Sequence, residues 1–277
     1  MVNHTVTKKV VIYISLFLFI VVSLFPIYWM INTSFKGDAE IYNPIPTFWP
    51  GHFTVVGYVS LFTKTLFLTY LRNTLWVSSV VAFLSLVASM FAAYGIARFK
   101  FRGSGMISKS ILYAYLMPRT VMYIPLYMVT VFLKLDNTLS GLILIYPTIV
   151  IPYATWMLIA YFKSIPVDME QAAYIDGSSR FNTMVKITFP MAAPGIITTF
   201  VFSFTLCWSD YLYAMIIVSK TALKTISVGM ADLIIDDLFA WGQLSAGAIF
   251  ASLPIIVLYA LASKYIVGGI TMGAVKQ

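Results

Sequence analysis

Val10–Ile31 reads VVIYISLFLFIVVSLFPIYWMI, an unbroken run without a charged residue. A helix needs about 20 apolar residues to cross a hydrocarbon core of roughly 30 Å, so this run is long enough to span a bilayer. Lys8 and Lys9 precede it. It exceeds the roughly 7–15 apolar residues of a signal peptide, and no Ala-x-Ala-like site closes it, so it reads as a retained transmembrane helix.

The same reading extends along the chain. Apolar segments fall at about 10–32, 71–97, 106–133, 139–161, 193–218 and 245–267. The expected fold is an all-α membrane protein of six transmembrane helices. Residues 1–70 form the first helix and an outer loop, 71–267 the main transmembrane domain, and 268–277 a tail. Composition agrees: 60% of the 277 residues are hydrophobic and 10% charged, against about 45–50% and about 25% in soluble domains. The net charge of +8 does not point to nucleic acid, because the basic residues cluster at the ends of apolar runs. Lys8, Lys9, Arg98, Lys100, Arg102, Lys109, Lys163, Arg180, Lys186, Lys264 and Lys276 share one side, which places both termini in the cytoplasm. The single cysteine, Cys207, permits no intrachain disulfide and reads as a packing residue. Ser85, Ser89, Ala93 and Ala97, four apart, mark a face where another helix approaches closely.

The inner loop, about 162–192, is the longest cytoplasmic segment. Asp168 and Gln171 have capping-box spacing, with Asp in the place of Ser or Thr. A short helix over about Met169–Ile175 is expected to end at Gly177 in a left-handed conformation. A second helix starts near Ser178 or Ser179, shows Phe181, Val185 and Phe189 on one face, and stops at Pro190. Ala172 and Ala173 leave one side of the first helix small, which suits close seating in a partner. A solvated amphipathic loop on the membrane surface is the other reading.

This loop resembles the signature of binding-protein-dependent ABC importer permeases: Glu-Ala-Ala, three residues, Gly, nine residues, Ile-x-Leu-Pro. Aligned on Gly177, the matching positions are Gln171-Ala172-Ala173 and Ile187-Thr188-Phe189-Pro190. Gln171 replaces the family acid and Phe189 its leucine; Glu170 stands beside Gln171. Ala92–Arg98, Ile124–Tyr127, Trp208–Leu212 and the tail from Gly268 to Lys276 are similar to the carbohydrate class, and to its maltose-type second permease subunit. The resemblance implies the type I importer fold and ATPase coupling through Glu170, Gln171, Ala172, Ala173, Asp176, Gly177, Ile187 and Pro190. It implies a homologous permease partner, two ATP-binding subunits and an extracytoplasmic solute-binding protein, in the cytoplasmic membrane of a bacterium or archaeon. The transported solute would be a sugar or oligosaccharide; a glycerol phosphate or peptide is the alternative within the family. The tail Thr271–Lys276 either touches the ATPases or frays.

No Gly-x-x-x-x-Gly-Lys-Ser/Thr loop occurs. The chain is therefore expected to hold no cofactor of its own, with ATP and Mg bound by the partner ATPase. Arg119, expected mid-span, and Asp210 are charges at a costly depth. Either they face the pathway, or each other, or they form a structural pair, or Asp210 is solvated. Trp208, Tyr211 and Tyr213 offer ring faces to a sugar or anchor the interface. The outer segment with Asp232, Asp236 and Asp237 either reaches the binding protein or is solvated. An intramembrane enzyme is disfavoured, since His4 and His52 lie outside the spans and no hydrolase or zinc motif is present. A secondary transporter has only Arg119 and Asp210 in its favour and no need of the long inner loop.

Overall fold

The computed structural model describes residues 6–235 and 238–274. In chain order the helices are α1 (Val6–Ser34), α2 (Asp38–Ile41), α3 (Val56–Lys64), α4 (Phe67–Arg98), α5 (Ser104–Leu116), α6 (Arg119–Phe132), α7 (Leu139–Ile145), α8 (Pro147–Ser164), α9 (Asp168–Ile175), α10 (Arg180–Thr183), α11 (Phe189–Met191), α12 (Ala193–Trp208), α13 (Leu212–Ile217), α14 (Ile226–Ala231) and α15 (Trp241–Ala274). A π-helical turn occupies Met184–Thr188 and a 3₁₀ turn Thr221–Leu223. The exception to an all-helical chain is a two-residue antiparallel ladder, Ile234 with Phe239 and Ile235 with Leu238.

Among the described residues, four helical stretches are long and apolar enough to cross a membrane: Lys8–Ser34, Phe67–Arg98, Leu139–Ser164 and Trp241–Tyr265. Arg180–Met191 with Ala193–Trp208 makes a fifth if the bent pair is one span. The expected span 106–133 is broken. Pro118 drives the preceding residue out of the helical region, and Met117 is accordingly extended, with ψ 133°. Arg119 therefore opens a helix instead of sitting within one. The segment 193–218 breaks as well, between Trp208 and Leu212, and the last helix runs on to Ala274 through most of the expected tail. Asp236, Asp237 and Lys276 lie outside the described residues.

The chain divides into two compact units. The first is Met1–Phe67 with Met230–Leu253. Nothing in the most apolar window of α1 is buried; Phe17, Phe19 and Val22 are exposed on successive faces, as suits a helix solvated by lipid. The segment after α1 is ordered by side chains. Phe35 stacks on Phe53 with centroids 4.5 Å apart. Lys36 lies over the Trp29 ring and donates to the Thr47 carbonyl. Glu40 accepts from the Thr47 hydroxyl and the Gly51 amide, and these donors, Thr47 first, hold its carboxyl below the ordinary glutamate range. Gly57 must lack a side chain, because a Cβ there would meet the Gly242 carbonyl oxygen at 2.7 Å.

The second unit is Leu68–Gly229 with Pro254–Gln277. Its α8 packs against α5 and α12. One core cluster gathers Val77, Val81, Leu142, Ile145, Tyr146, Val150 and Cys207; another gathers Leu86, Ala93, Tyr94, Leu158, Ile159 and Phe162. The small-residue stripe is buried at Ser85, Ser89 and Ala93, and the Ser89 hydroxyl donates to the Ile151 carbonyl at 3.4 Å. Small side chains let the two backbones approach, which is what drives helix association in lipid.

Candidate functional site: the loop between α8 and α12

The loop has the expected helix–glycine–helix order. Gly177 adopts φ +82°. Its N–H donates to the Tyr174 carbonyl, and that of Ser178 to Ala173. This is a Schellman closure, which needs a left-handed residue after the helix. The Ser179 hydroxyl then caps α10 by accepting from the Asn182 amide.

Three local expectations are corrected. Asp168 makes no capping box, because the helix starts at Asp168 itself and Val167 occupies the cap without a side-chain bond. Pro190 does not stop the helix. It sits in the short α11, and the chain turns by 76° around Ala192. Proline has no N–H and crowds the carbonyl four residues back; the widened π turn over Met184–Thr188 gives that carbonyl room. Phe181, Val185 and Phe189 do not share a packed face. Phe181 and Val185 are exposed, and Phe189 alone turns inward to stack on Phe162 at 5.8 Å.

Glu170 points into the protein. Only 3% of its side chain is accessible, and its Oε1 lies 2.7 Å from Arg98 Nε, whose own side chain is 7% accessible. The Thr188 hydroxyl donates to the same oxygen at 2.8 Å, and the Tyr94 hydroxyl donates to Oε2 at 3.2 Å. Arg98 also donates to the Ile165 carbonyl at 3.1 Å. The carboxylate thus ties α9 to the end of α4 and the π turn, and its partner Arg98 adds the end of α8. A buried charge is tolerated only when it is paired and hydrogen-bonded, and Glu170 meets both conditions. Sequence reasoning named Glu170 but missed Tyr94, Arg98 and Thr188 as its partners. The pairing spans 72 residues, a separation over which no spacing rule links the two side chains.

With Glu170 and Ala173 drawn inward, the rest of α9 is exposed. Gln171, Ala172 and Asp176 are exposed and Ala173 is buried. Ile175 is 86% exposed, and Met169 and, after the glycine turn, Phe181 are exposed as well. Ile187 is half-buried and Pro190 exposed.

The pathway candidates differ in burial and in partners. Trp208 is buried and stacks on Phe204. Half-buried Asp210 accepts from the Tyr146 hydroxyl at 3.0 Å and the Ala214 amide at 3.2 Å, bracing the break before α13. Exposed Arg119 makes no ion pair with it among the described residues; instead the Tyr213 hydroxyl donates to the Arg119 carbonyl at 3.3 Å. Tyr211 stands exposed at 37%.

The family model described as "Binding-protein-dependent transport system inner membrane component" matches residues 85–271. The chain is 34% identical over 276 residues to the inner membrane ABC transporter permease protein YcjP of Escherichia coli, covering 99% of each. It is 30% identical over 278 residues to the trehalose/maltose transport system permease protein MalG of Thermococcus litoralis, again covering 99% of each. Among solved structures, a bacterial ABC transporter involved in import of the acidic polysaccharide alginate superposes with a TM-score of 0.82, over 96% of this chain and 100% of that one, at 19% identity. The last likeness is one of fold.

Proposed function

This chain belongs to the binding-protein-dependent transport system inner membrane components, and from that premise we propose that it forms half of the pathway of a sugar or oligosaccharide importer whose ATPase drives it through α9. Family membership makes it a multi-pass permease subunit and not an enzyme. The sugar reading draws on the relative named for trehalose and maltose. The remaining parts are two ATP-binding subunits carrying ATP and Mg, a related permease, cytoplasmic termini, and the inner membrane of a bacterium or archaeon.

The observation that carries the coupling role is the division of labour on α9. Its inward side is fixed by Glu170 to Arg98, while Ala172 and Ile175 are left for a partner. A push on the exposed side is then delivered to α4 and α8 through short charge-assisted bonds, which are the strong kind. Gly177 ends α9, and the chain turns again at Ala192 before α12.

The test is to capture the chain from native membranes in mild detergent and measure ATP hydrolysis with and without the loaded binding protein. A co-purifying nucleotidase, stimulated by the loaded binding protein and uncoupled by Ile175→Asp, is the expected result. Absence of any nucleotidase, or stimulation indifferent to Ile175→Asp, would overturn the reading.

A further inference from the structure

Where α4 ends, the side chains leave a cavity of about 610 Å³ lined by Arg98, Phe99, Lys100, Phe101, Ser104 and Val167. That volume is within the roughly 300–1,000 Å³ of small-molecule sites. The lining has two chemistries. Arg98 is committed to Glu170 and the Ile165 carbonyl, but Lys100 is exposed and makes no ion pair among the described residues. Arg180 adds a second cation, 5.6 Å over the ring of Phe99. No carboxylate lines the cavity; the adjoining Asp168 is exposed. The same lining includes Phe99, Phe101 and Val167, each at least 42% exposed.

A small soluble anion would use Lys100 and gain nothing from three exposed apolar side chains. An amphiphile uses both. The cavity also lies at the end of a 32-residue apolar helix, the depth at which headgroups sit. We infer that it seats the headgroup of an anionic phospholipid, its phosphate against Lys100 and its glycerol and first acyl carbons along Phe99, Phe101 and Val167. The inference rests on α4 being a membrane span that ends at this loop. Because Arg98 forms one wall, the lipid stiffens the mount that holds α9.

The probe is phosphatidylglycerol retained by the intact purified transporter, compared with phosphatidylcholine, by native mass spectrometry. One basic side chain near a membrane surface is worth about fivefold in anionic-lipid affinity, so Lys100→Gln should lower phosphatidylglycerol retention by about that factor and leave phosphatidylcholine unchanged. Lys100→Arg should restore it, and Lys163→Gln, the same charge change outside the lining, should not lower it. Unchanged retention in Lys100→Gln overturns the proposal. So does displacement of the lipid by inorganic phosphate as readily as by a short-chain phosphatidylglycerol, which would assign the site to a soluble anion. A photo-crosslinker at Phe101 that captures only an ATPase subunit overturns it too. Lipid retention does not depend on coupling, so failure here and failure of the α9 assignment are read separately.

Discussion

Glu170 and Gln171 are neighbours with opposite fates. Glu170 is one of four groups in a buried hydrogen-bonded cluster, and Gln171 faces outward. Removing one partner of a buried ion pair leaves an uncompensated charge, at a cost of about 3–5 kcal/mol, whereas replacing both with apolar groups is often neutral. Glu170→Gln or Arg98→Met should therefore lower the thermal midpoint of the purified permease markedly. The double change Arg98→Met with Glu170→Met should recover most of the loss, and Gln171→Ala should stay within about 0.5 kcal/mol of the parent. A double mutant no better than the singles would show that the pair acts through its charge. The importance of the loop was legible in its residue spacing. The partner of its acid was not, because a basic residue at a helix end looks the same whether it faces headgroups or a buried carboxylate.

At the scale of the element, Gly177 and Gly95 make a controlled comparison. Neither position has any atom that an added Cβ would touch within 4 Å, but Gly177 has φ +82° and Gly95 is helical. Gly177→Ala should destabilise by roughly 1–2 kcal/mol through the left-handed backbone alone. Gly95→Ala should be neutral or stabilising by about 0.5–1 kcal/mol, with both read from denaturation midpoints. The Glu40 clasp gives a pH-dependent counterpart. Its carboxyl is held below the usual value, so its contribution is present above the unfolded glutamate pKa and is lost as pH falls through the folded one. The protection of the Gly51 amide, its exchange rate corrected for the intrinsic pH dependence, should fall on acidification across that window, and Glu40→Gln should abolish that fall. The long apolar helices were readable from length and composition because lipid tolerates little else. The breaks at Met117–Pro118 and Ser209–Tyr211 were not, since an apolar run keeps its hydropathy whether or not its axis bends. Pro118 and Pro190 were in plain view, yet the first follows a break at Met117, while the second lies inside a short helix between a π turn and the 76° turn around Ala192.

For the whole molecule, sidedness decides whether α9 can meet a cytoplasmic motor. The function proposed above requires the loop inside and the segment around Trp49 outside. Cys207 is 3% accessible, so an introduced cysteine is the only thiol open to a bulky reagent. In inside-out vesicles a membrane-impermeant maleimide should label Ile175→Cys and spare Trp49→Cys; in right-side-out vesicles the pattern should reverse. Binding of the motor should then bury the exposed apolar side of α9. Labelling of Ile175→Cys should fall several-fold in the assembled transporter and return when peripheral subunits are stripped with urea. Labelling from the outer side would remove the mechanical role altogether. Labelling from the inner side without protection on assembly would leave α9 inside but uncoupled, so that the stroke would have to enter the bundle by a different element.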